Sequence, residues 1–203
     1  MRIAVFGAAG WLGRAILSNL VKQHEVEAFD RDSDAWQAWQ DIDGDWGGGQ
    51  IIHGDISDET MVDSAVKGMD AVVHAAVYFP EPDETGNAAF RFNVQGLWNV
   101  LESARRYNVK RIVHIGSCHT EHPDGTFFTA DVRRPDTGLY GVTKRLQEEL
   151  CRTYHETVRM KIVVLRADYI VDSLLGIGRY RERLGHEHGN PTRNGWVCRH
   201  DLA

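Results

Sequence analysis

Tyr140 and Lys144 lie four residues apart in the segment Tyr140-Gly141-Val142-Thr143-Lys144, which places a phenol and an ammonium group on one face of a helix. A free tyrosine has a pKa of about 10, too high for a general base at neutral pH, and a nearby positive charge favours the phenolate. The pair therefore predicts a tyrosine that accepts a proton and a lysine that supports it. The alternative is an ordinary amphipathic helix with both side chains on its surface.

Ser117 follows a short apolar run, Arg111–Ile115, in the sequence Ile115-Gly116-Ser117-Cys118-His119-Thr120. If that run is a strand of an open parallel sheet, the serine lies at the carboxyl end, where ligands bind. Its hydroxyl would then donate a hydrogen bond to a substrate oxygen. The alternative is a turn residue. Nothing in the sequence marks Cys118 as a reactive thiolate.

A glycine-rich loop, Gly7-Ala8-Ala9-Gly10-Trp11-Leu12-Gly13, stands between an apolar run and a helical pattern. The first glycine permits a tight turn, the second lets backbone approach a pyrophosphate, and the third allows close packing of the helix. The N-terminus of that helix would present its N–H groups to the phosphates. The motif in this context predicts a dinucleotide site.

Asp30 lies 20 residues after Gly10, at the end of the second predicted strand. A carboxylate there accepts hydrogen bonds from the adenosine ribose and repels a 2′-phosphate, which favours NAD over NADP. Arg14 and Arg31 are cations that would weaken this preference, and an exposed loop carboxylate is the alternative. Asp55 is predicted to contact the adenine amino group, with a helix N-cap as its alternative role.

Six short runs rich in Val and Ile alternate with longer helical patterns. Their nearly continuous apolar character is typical of parallel strands covered on both faces. The predicted strands are Ile3–Phe6, Val26–Phe29, Gln50–His53, Ala71–His74, Arg111–Ile115 and Lys161–Leu165. The predicted helices are Trp11–Lys22, Asp58–Lys67, about Asn87–Tyr107 and Leu139–Thr157. This alternation predicts an α/β fold, a Rossmann-type doubly wound parallel sheet. Asp41–Gly49 is predicted to be a surface loop.

The 203 residues contain 23 Lys and Arg against 29 Asp and Glu, a formal net charge of −6. This acidic balance argues against a basic surface for nucleic acid, and we expect no nucleic-acid partner. No apolar run approaches the roughly 18 residues of a membrane helix, so we also expect no membrane partner. Three cysteines without metal-like spacing (Cys118, Cys151 and Cys198) indicate a reduced, cytoplasmic compartment. The close pairs His119/His122 and His186/His188 lack a completing ligand, and we predict no metal site.

Together these residues resemble the NAD-dependent epimerase/dehydratase family of the extended short-chain dehydrogenase/reductase superfamily, from Arg2 to about Arg166. The resemblance implies NAD as cofactor and a catalytic set of Ser117, Tyr140 and Lys144. Asn93, in the family's N-V-x-G-x-x-N-x-L-x-A helix, would kink that helix and support the active site. The residues implied to bind the cofactor are Gly7, Gly10, Trp11, Leu12, Gly13, Asp30, Asp55, Ile56, His74, Ala75, Ala76, Asn93, Tyr140 and Lys144.

The sequence departs from the family pattern in two places. Phe6 replaces the small hydroxyl residue that usually precedes the first glycine. Many members also carry consecutive Ser or Thr near Ser117, so a shift of one place would put Cys118 on the catalytic position. The segment around Ser117 is similar to that of uronate dehydrogenases, which implies that His119 binds substrate; a loop histidine is the alternative. Arg193, or an arginine of the cluster 179–183, is a candidate for binding an anionic substrate, with a solvated surface as the alternative.

The chain is predicted to hold an NAD-binding Rossmann domain over residues 1–167, including the catalytic residues, and a short substrate-lobe segment over 168–203. The resemblance implies oxidation of a sugar hydroxyl, as in a uronate dehydrogenase, and a homodimer. A nucleotide-sugar epimerase or dehydratase is the alternative within the family, and an NAD-sensing module is the alternative from another class. The last 36 residues lack clear periodicity, so we expect an incomplete substrate lobe.

Overall fold

A computed structural model describes residues 1–31, 33–80, 85–118, 138–185 and 195–203. His119 and Arg193, both predicted to bind substrate, lie outside these residues, as do His122, His186 and His188. No helix in the described part of the chain is both long and apolar enough to cross a membrane.

Six parallel strands form the central sheet in the order β3-β2-β1-β4-β5-β6. The reversal of strand order between β1 and β4 is the mark of a doubly wound sheet, and the predicted fold class is confirmed. All six predicted strands are present within one or two residues of their predicted ends. They are β1 (Arg2–Phe6), β2 (Glu25–Asp30), β3 (Gln50–His53), β4 (Ala71–His74), β5 (Arg111–Ile115) and β6 (Ile162–Leu165).

Helices cover both faces of this sheet, each burying an apolar stripe. On one face pack α4 (Glu59–Val66), α6 (Gly96–Arg106) and α7 (Leu139–Val158), with Val62, Leu97 and Tyr154 among their buried side chains. On the other face α1 (Trp11–Leu20) buries Leu12, Ile16 and Leu17. The sheet is thus fixed between two apolar layers, and its carboxyl edge is left for polar groups.

The region predicted as one helix over Asn87–Tyr107 has three segments. These are α5 (Asn87–Ala89), a π-helix over Phe90–Gln95, and α6. Asn93 is wholly buried within the π-helix. A widened turn of this kind is frequent at functional sites, and it lies where the family resemblance implied a kink.

The predicted surface loop Asp41–Gly49 is wrong at its start, because α3 covers Gln40–Asp43 after a short α2 (Ser33–Gln37). Two arginines hold this helix from distant parts of the chain. Arg181 donates to Asp41 at 2.7 Å, and Arg199 donates to Asp43 at 2.8 Å. Those tertiary ion pairs have no signature in the local sequence.

The last segment of the chain forms a second sheet in the order β8-β7-β9 despite its weak periodicity. Its strands are β7 (Tyr169–Asp172), β8 (Ile177–Gly178) and β9 (Trp196–Cys198), and α8 (Arg199–Leu202) follows. Arg199 is buried and bonds Asp172 of β7 at 2.8 Å, while its guanidinium lies 4.0 Å from the ring centre of Trp11 in α1. The segment is therefore attached to the first helix. The division at residue 167 stays a prediction.

Candidate active site

The glycine loop joins β1 to α1 by close contacts between backbone segments. Gly7 has φ +79°, and a Cβ there would lie 2.5 Å from the backbone nitrogen of Ala76. A Cβ on Gly13 would overlap the carbonyl oxygen of Gly7. A Cβ on Gly10, in contrast, would meet only that carbonyl, at 3.3 Å. Packing thus requires glycine at the first and third positions, whereas Gly10 leaves open space toward the cavity.

A cavity of about 1120 Å³ runs along the carboxyl edge of the sheet. That volume is slightly above the usual range for pockets that hold small ligands, as expected for a cavity with room for both a cofactor and a substrate. The cavity extends from the glycine loop to the catalytic candidates, and its walls include the predicted residues Gly7, Gly10, Trp11, Leu12, Gly13, Asp30, Ile56, Ala75, Ala76, Ser117, Tyr140 and Lys144. The structure therefore brings most of the predicted site into one elongated space.

Asp30 lines the cavity beside the glycine loop. Its Oδ2 accepts a hydrogen bond from the backbone nitrogen of Ala9 at 2.8 Å, and its Oδ1 accepts one from that of Arg31 at 2.8 Å. Arg14, suspected to weaken the NAD preference, instead donates to the carbonyl of Gly44 and lies under Trp36. The Asp30 carboxylate is thus held in place at the cavity, away from the buried Arg14 guanidinium.

The side chain of Asp55 lies in surroundings other than those predicted for a residue that contacts adenine. Its Oδ1 accepts hydrogen bonds from the backbone nitrogen and hydroxyl of Ser57 at 2.8 and 2.7 Å, and Oδ2 pairs with Arg91 at 2.8 Å. It lines a neighbouring groove that also contains Arg91, whereas Ile56 lines the main cavity. The Asp55 contact with adenine stays a prediction, and its observed role is to order the turn before α4.

Ala75 and Ala76 border the cavity, but the side chain of the preceding His74 points elsewhere. The backbone nitrogen of Ala75 donates to the carbonyl of Phe6 at 2.9 Å. His74 is completely buried, with its Nδ1 3.1 Å from Nδ1 of His114 on β5. Any contact of His74 with a cofactor would therefore involve its backbone.

Tyr140 and Lys144 lie one turn apart near the start of α7. The Lys144 ammonium lies 5.9 Å from the Tyr140 ring centre and donates to the carbonyl of Ile115 at 2.8 Å. Burial lowers the pKa of Lys144 to about 8. The ammonium is thus oriented by the end of β5, a contact that joins α7 to the strand that precedes Ser117.

The Tyr140 phenol is mostly enclosed. Burial raises its pKa, while a hydrogen bond with Ser117 and the charge of Arg179 act in the opposite direction. Its ring stacks on Phe79 with the centres 5.0 Å apart and the planes at 17°. Among the groups that lower the Tyr140 pKa in this structure, the Ser117 hydrogen bond and the Arg179 charge act most strongly. Support of the phenolate by Lys144 stays a prediction.

Asn93 links the π-helix to both walls of the site. Its Oδ1 accepts from the backbone nitrogen of Tyr78 at 2.7 Å, and its Nδ2 donates to the Tyr78 carbonyl at 2.9 Å and to Thr143 Oγ1 at 3.0 Å. Gln147 Nε2 donates to the Asn93 carbonyl at 2.7 Å. Sequence reasoning missed Thr143 and Gln147. Their three- and seven-residue spacing from Tyr140 on one helix face could have indicated them.

Four further residues of the second sheet and its approaches border the cavity near Tyr140: Asp168, Tyr169, Arg179 and Tyr180. The Cys118 thiol donates to Oδ1 of Asp168 at 3.4 Å. Of this set the sequence indicated only Arg179, within a cluster of arginines. The others follow β6 with no motif around them, so only the fold reveals them.

These residues fit a dinucleotide. The space at Gly10 is open to the cavity, the N-terminus of α1 faces the same loop, and the Asp30 carboxylate stands at the end of β2. This is the donor and acceptor set that a pyrophosphate and a ribose require. Among the described residues, no group of three His, Cys, Asp or Glu side chains could hold a metal ion.

Comparison with known proteins agrees with this geometry. The profile of the NAD dependent epimerase/dehydratase family matches residues 3–171. L-arabinose 1-dehydrogenase (NAD(P)(+)) from Haloferax volcanii is 28% identical over 203 residues, covering 92% of this chain and 72% of that protein. Uronate dehydrogenase from Agrobacterium fabrum is 32% identical over 169 residues, covering 81% of this chain and 60% of that protein.

Solved structures are similar over most of the chain. A mutated uronate dehydrogenase gives a TM-score of 0.74 at 25% identity, covering 99% of this chain and 66% of that one. A short-chain dehydrogenase/reductase superfamily protein from Agrobacterium tumefaciens with bound NAD gives 0.73 at 29% identity, covering 85% and 50%. The chain thus spans between half and about three quarters of the length of these four relatives.

Proposed function

We propose, since the chain belongs to the NAD-dependent epimerase/dehydratase family, that it oxidises a hydroxyl group of a sugar. The predicted family and the predicted cofactor, NAD, are both confirmed by the family match and by the NAD-bound relative. NAD, when bound, supplies the acceptor for the hydride that leaves the carbon. The glycine loop, Asp30 and the N-terminus of α1 would hold it in the cavity.

The observation that carries the proposal is the hydrogen bond between Ser117 and Tyr140 at the cavity wall, with Lys144 buried behind them. In the proposed reaction the Tyr140 phenolate accepts the hydroxyl proton while the carbon loses its hydride, which leaves a carbonyl product. Ser117 donates a hydrogen bond to the reacting oxygen, and the Lys144 ammonium supports the phenolate.

Burial raises the pKa of Tyr140 and lowers that of Lys144 to about 8. A Tyr140 base therefore needs positive charge nearby to become a phenolate at neutral pH. The oxidised nicotinamide ring carries such a charge. This dependence predicts that Tyr140 titrates at lower pH with bound NAD than without it.

A dehydrogenase acting on a uronate-type or related free sugar is the preferred form of the proposal. Support comes from the uronate and L-arabinose dehydrogenases among the relatives. An epimerase or dehydratase of nucleotide sugars is the alternative, supported by the 31% identity over 121 residues to dTDP-glucose 4,6-dehydratase from Streptomyces niveus. A third possibility is an NAD-sensing module, but such a module has no use for the Ser117, Tyr140 and Lys144 set.

The experiment is to follow absorbance at 340 nm with NAD and, separately, with NADP. The substrates are D-glucuronate, D-galacturonate, L-arabinose, D-glucose 6-phosphate and UDP-glucose. A dehydrogenase forms NADH with one of the free sugars. Conversion of UDP-glucose without net NADH would favour the alternative within the family, and NAD binding without any conversion would favour the sensing module. Formation of NADPH in preference to NADH would contradict the role proposed for Asp30.

Homodimerisation remains a prediction from the resemblance. The helices α6 and α7, which members of this superfamily commonly pair, carry exposed apolar side chains at Trp98, Val142 and Leu146. Light scattering coupled to size exclusion should give twice the chain mass of 22.9 kDa. Replacing Trp98 by Gln should shift the dimer toward monomer, and a strictly monomeric wild-type protein would refute the prediction.

A further inference from the structure

Arg179 places a guanidinium group at the wall of the cavity, close to Tyr140. It lies between β8 and Tyr180 and is partly buried. Its Cζ atom is 3.5 Å from the ring centre of Phe79 and 4.8 Å from that of Tyr180. Phe79 in turn stacks on Tyr140. The cation and the proposed proton acceptor therefore contact the same aromatic ring.

No carboxylate in the described part of the chain forms an ion pair with Arg179, although neighbouring arginines are paired. Arg181 forms a pair with Asp41 at 2.7 Å, and Arg166 forms one with Glu148 at 2.7 Å. Burial lowers the pKa of Arg179, because desolvation disfavours its charged form. An arginine remains protonated nonetheless, so its charge persists at the cavity wall.

The aromatic neighbours account for part of this arrangement. A guanidinium over an aromatic face gains a cation–π attraction that offsets some of the lost hydration. Such stacking engages the flat faces of the group and leaves its in-plane N–H donors available. These donors match the two oxygens of a carboxylate or phosphate. The structure thus holds an oriented anion-binding group where the cavity passes Tyr140.

We propose that Arg179 binds the anionic group of the substrate, a carboxylate or phosphate on the sugar, and thereby selects anionic over neutral sugars. This inference rests on the proposed function and names its substrate class. Arg179 and Tyr140 line the same cavity, and the Phe79 ring centre lies 3.5 Å from Cζ of Arg179 and 5.0 Å from the ring centre of Tyr140. The anion would fix the sugar so that its reacting hydroxyl faces Tyr140 and Ser117.

The test compares three sugars with the same ring: D-glucuronate, D-glucose 6-phosphate and D-glucose. The variants are Arg179→Met, Arg179→Lys and the control Arg181→Met, which removes a nearby arginine already paired with Asp41. NADH formation gives kcat and KM for each sugar, and calorimetry gives the Kd for NAD. Loss of charge-assisted hydrogen bonds predicts a rise in KM for the anionic sugar on the order of 10- to 100-fold in Arg179→Met.

The KM for the neutral sugar should change less than about threefold, with NAD affinity unchanged. Because the charge of Arg179 also lowers the pKa of Tyr140, a fall in kcat shared by all three sugars is expected, and the comparison rests on KM. Arg179→Lys should recover part of the loss, since it retains the charge but not the planar donor pair. Glucuronate and glucose 6-phosphate distinguish a carboxylate from a phosphate as the bound group. An equal rise in KM for D-glucose and the anionic sugars, or a rise of the same size in Arg181→Met, would overturn the inference.

The outcome is separable from the proposed reaction. If no sugar gives NADH, binding of D-glucuronate and D-glucose 6-phosphate to the NAD-saturated protein is measured by calorimetry. Binding that is weakened at least tenfold in Arg179→Met supports an anion site even without oxidation. Absence of binding to the wild-type protein, or equal binding to wild type and Arg179→Met, overturns it. The reaction and the anion site can therefore fail independently.

Discussion

His74 and His114 lie side by side as register partners on β4 and β5, near the carboxyl ends of these strands. Both are completely buried, and their Nδ1 atoms lie 3.1 Å apart. One Nδ1 must carry the hydrogen that the other accepts, so the pair fits two neutral imidazoles. The Nε2 atoms of both rings have no hydrogen-bond partner within the described structure. A proton added to either ring would place an uncompensated charge in the core.

The pair should make the protein sensitive to mild acid. Burial lowers the pKa of His74 to about 3. Burial, followed by the nearby His74 and Lys144, also lowers the pKa of His114 well below its usual value. In the unfolded chain a histidine has a pKa of about 6.5. Below that pH it becomes protonated, whereas the buried pair in the native protein stays neutral. Their stabilising effect is therefore full above about pH 6.5 and is lost as pH falls from there toward the native values.

The magnitude follows from proton linkage, in which one pKa unit corresponds to about 1.4 kcal/mol. Between pH 7 and pH 5 each neutral buried histidine should lower the free energy of unfolding by about 2 kcal/mol, and the pair by about 4 kcal/mol. Total stabilities are about 5–15 kcal/mol, so this loss is a large fraction.

Urea unfolding of the wild type and two variants at pH 7, 6 and 5 tests the prediction. His114→Gln removes one member of the buried pair, and His53→Gln is the control, because His53 is exposed at the end of β3. The His114→Gln variant should lose about 2 kcal/mol less than wild type between pH 7 and pH 5. The His53→Gln variant should follow the wild-type pH dependence. If wild type and His114→Gln lose the same amount, the buried pair is not neutral and the reasoning fails.

Two further predictions concern the glycine loop and the buried ion pairs. Gly10→Ala should leave the melting temperature nearly unchanged and weaken NAD binding at least about tenfold, because its Cβ would enter cavity space. Gly13→Ala should instead lower the melting temperature, because its Cβ would overlap the backbone. Calorimetry gives the Kd for NAD and thermal melts give the melting temperature of each variant. Equal effects of the two substitutions on both quantities would contradict the prediction. Arg199→Met should cost about 3–5 kcal/mol by leaving buried carboxylates unpaired. The exposed Arg105→Met should leave the urea midpoint nearly unchanged, because solvent screens its pair with Glu102. Similar urea midpoints for both variants would refute the distinction.

The sheet was predictable because each strand has a local sequence pattern. A short, nearly continuous apolar run such as Ile3–Phe6 indicates a strand buried on both faces, and this pattern can be seen without knowing which strands pair. The helix that begins after Asp58 was also predictable, since the Asp58 side chain caps it by accepting from the backbone of Thr60. The π-helix was not, because Asn93 reaches Tyr78 through hydrogen bonds between distant parts of the chain.

The candidate site divides in the same way. Tyr140 and Lys144 were predictable from their spacing on one helix. The contact of Lys144 with the Ile115 carbonyl joins residues 29 apart, so no local pattern contains it. The His114 partner of His74 was missed because the register of β4 and β5 pairs them, and that register is a property of the folded sheet. Sequence thus indicated the chemistry, whereas packing determined how it is tuned.

The central claim is that Tyr140 accepts the proton in an NAD-dependent oxidation. The most direct measurement is NADH formation at 340 nm by Tyr140→Phe beside Tyr154→Phe, which alters another tyrosine of α7 bonded to Glu102. Removal of a general base predicts a loss of about 100- to 10,000-fold in kcat for Tyr140→Phe, with an unchanged Kd for NAD. Tyr154→Phe should retain activity. A Tyr140→Phe enzyme with more than about a tenth of wild-type turnover would contradict the account.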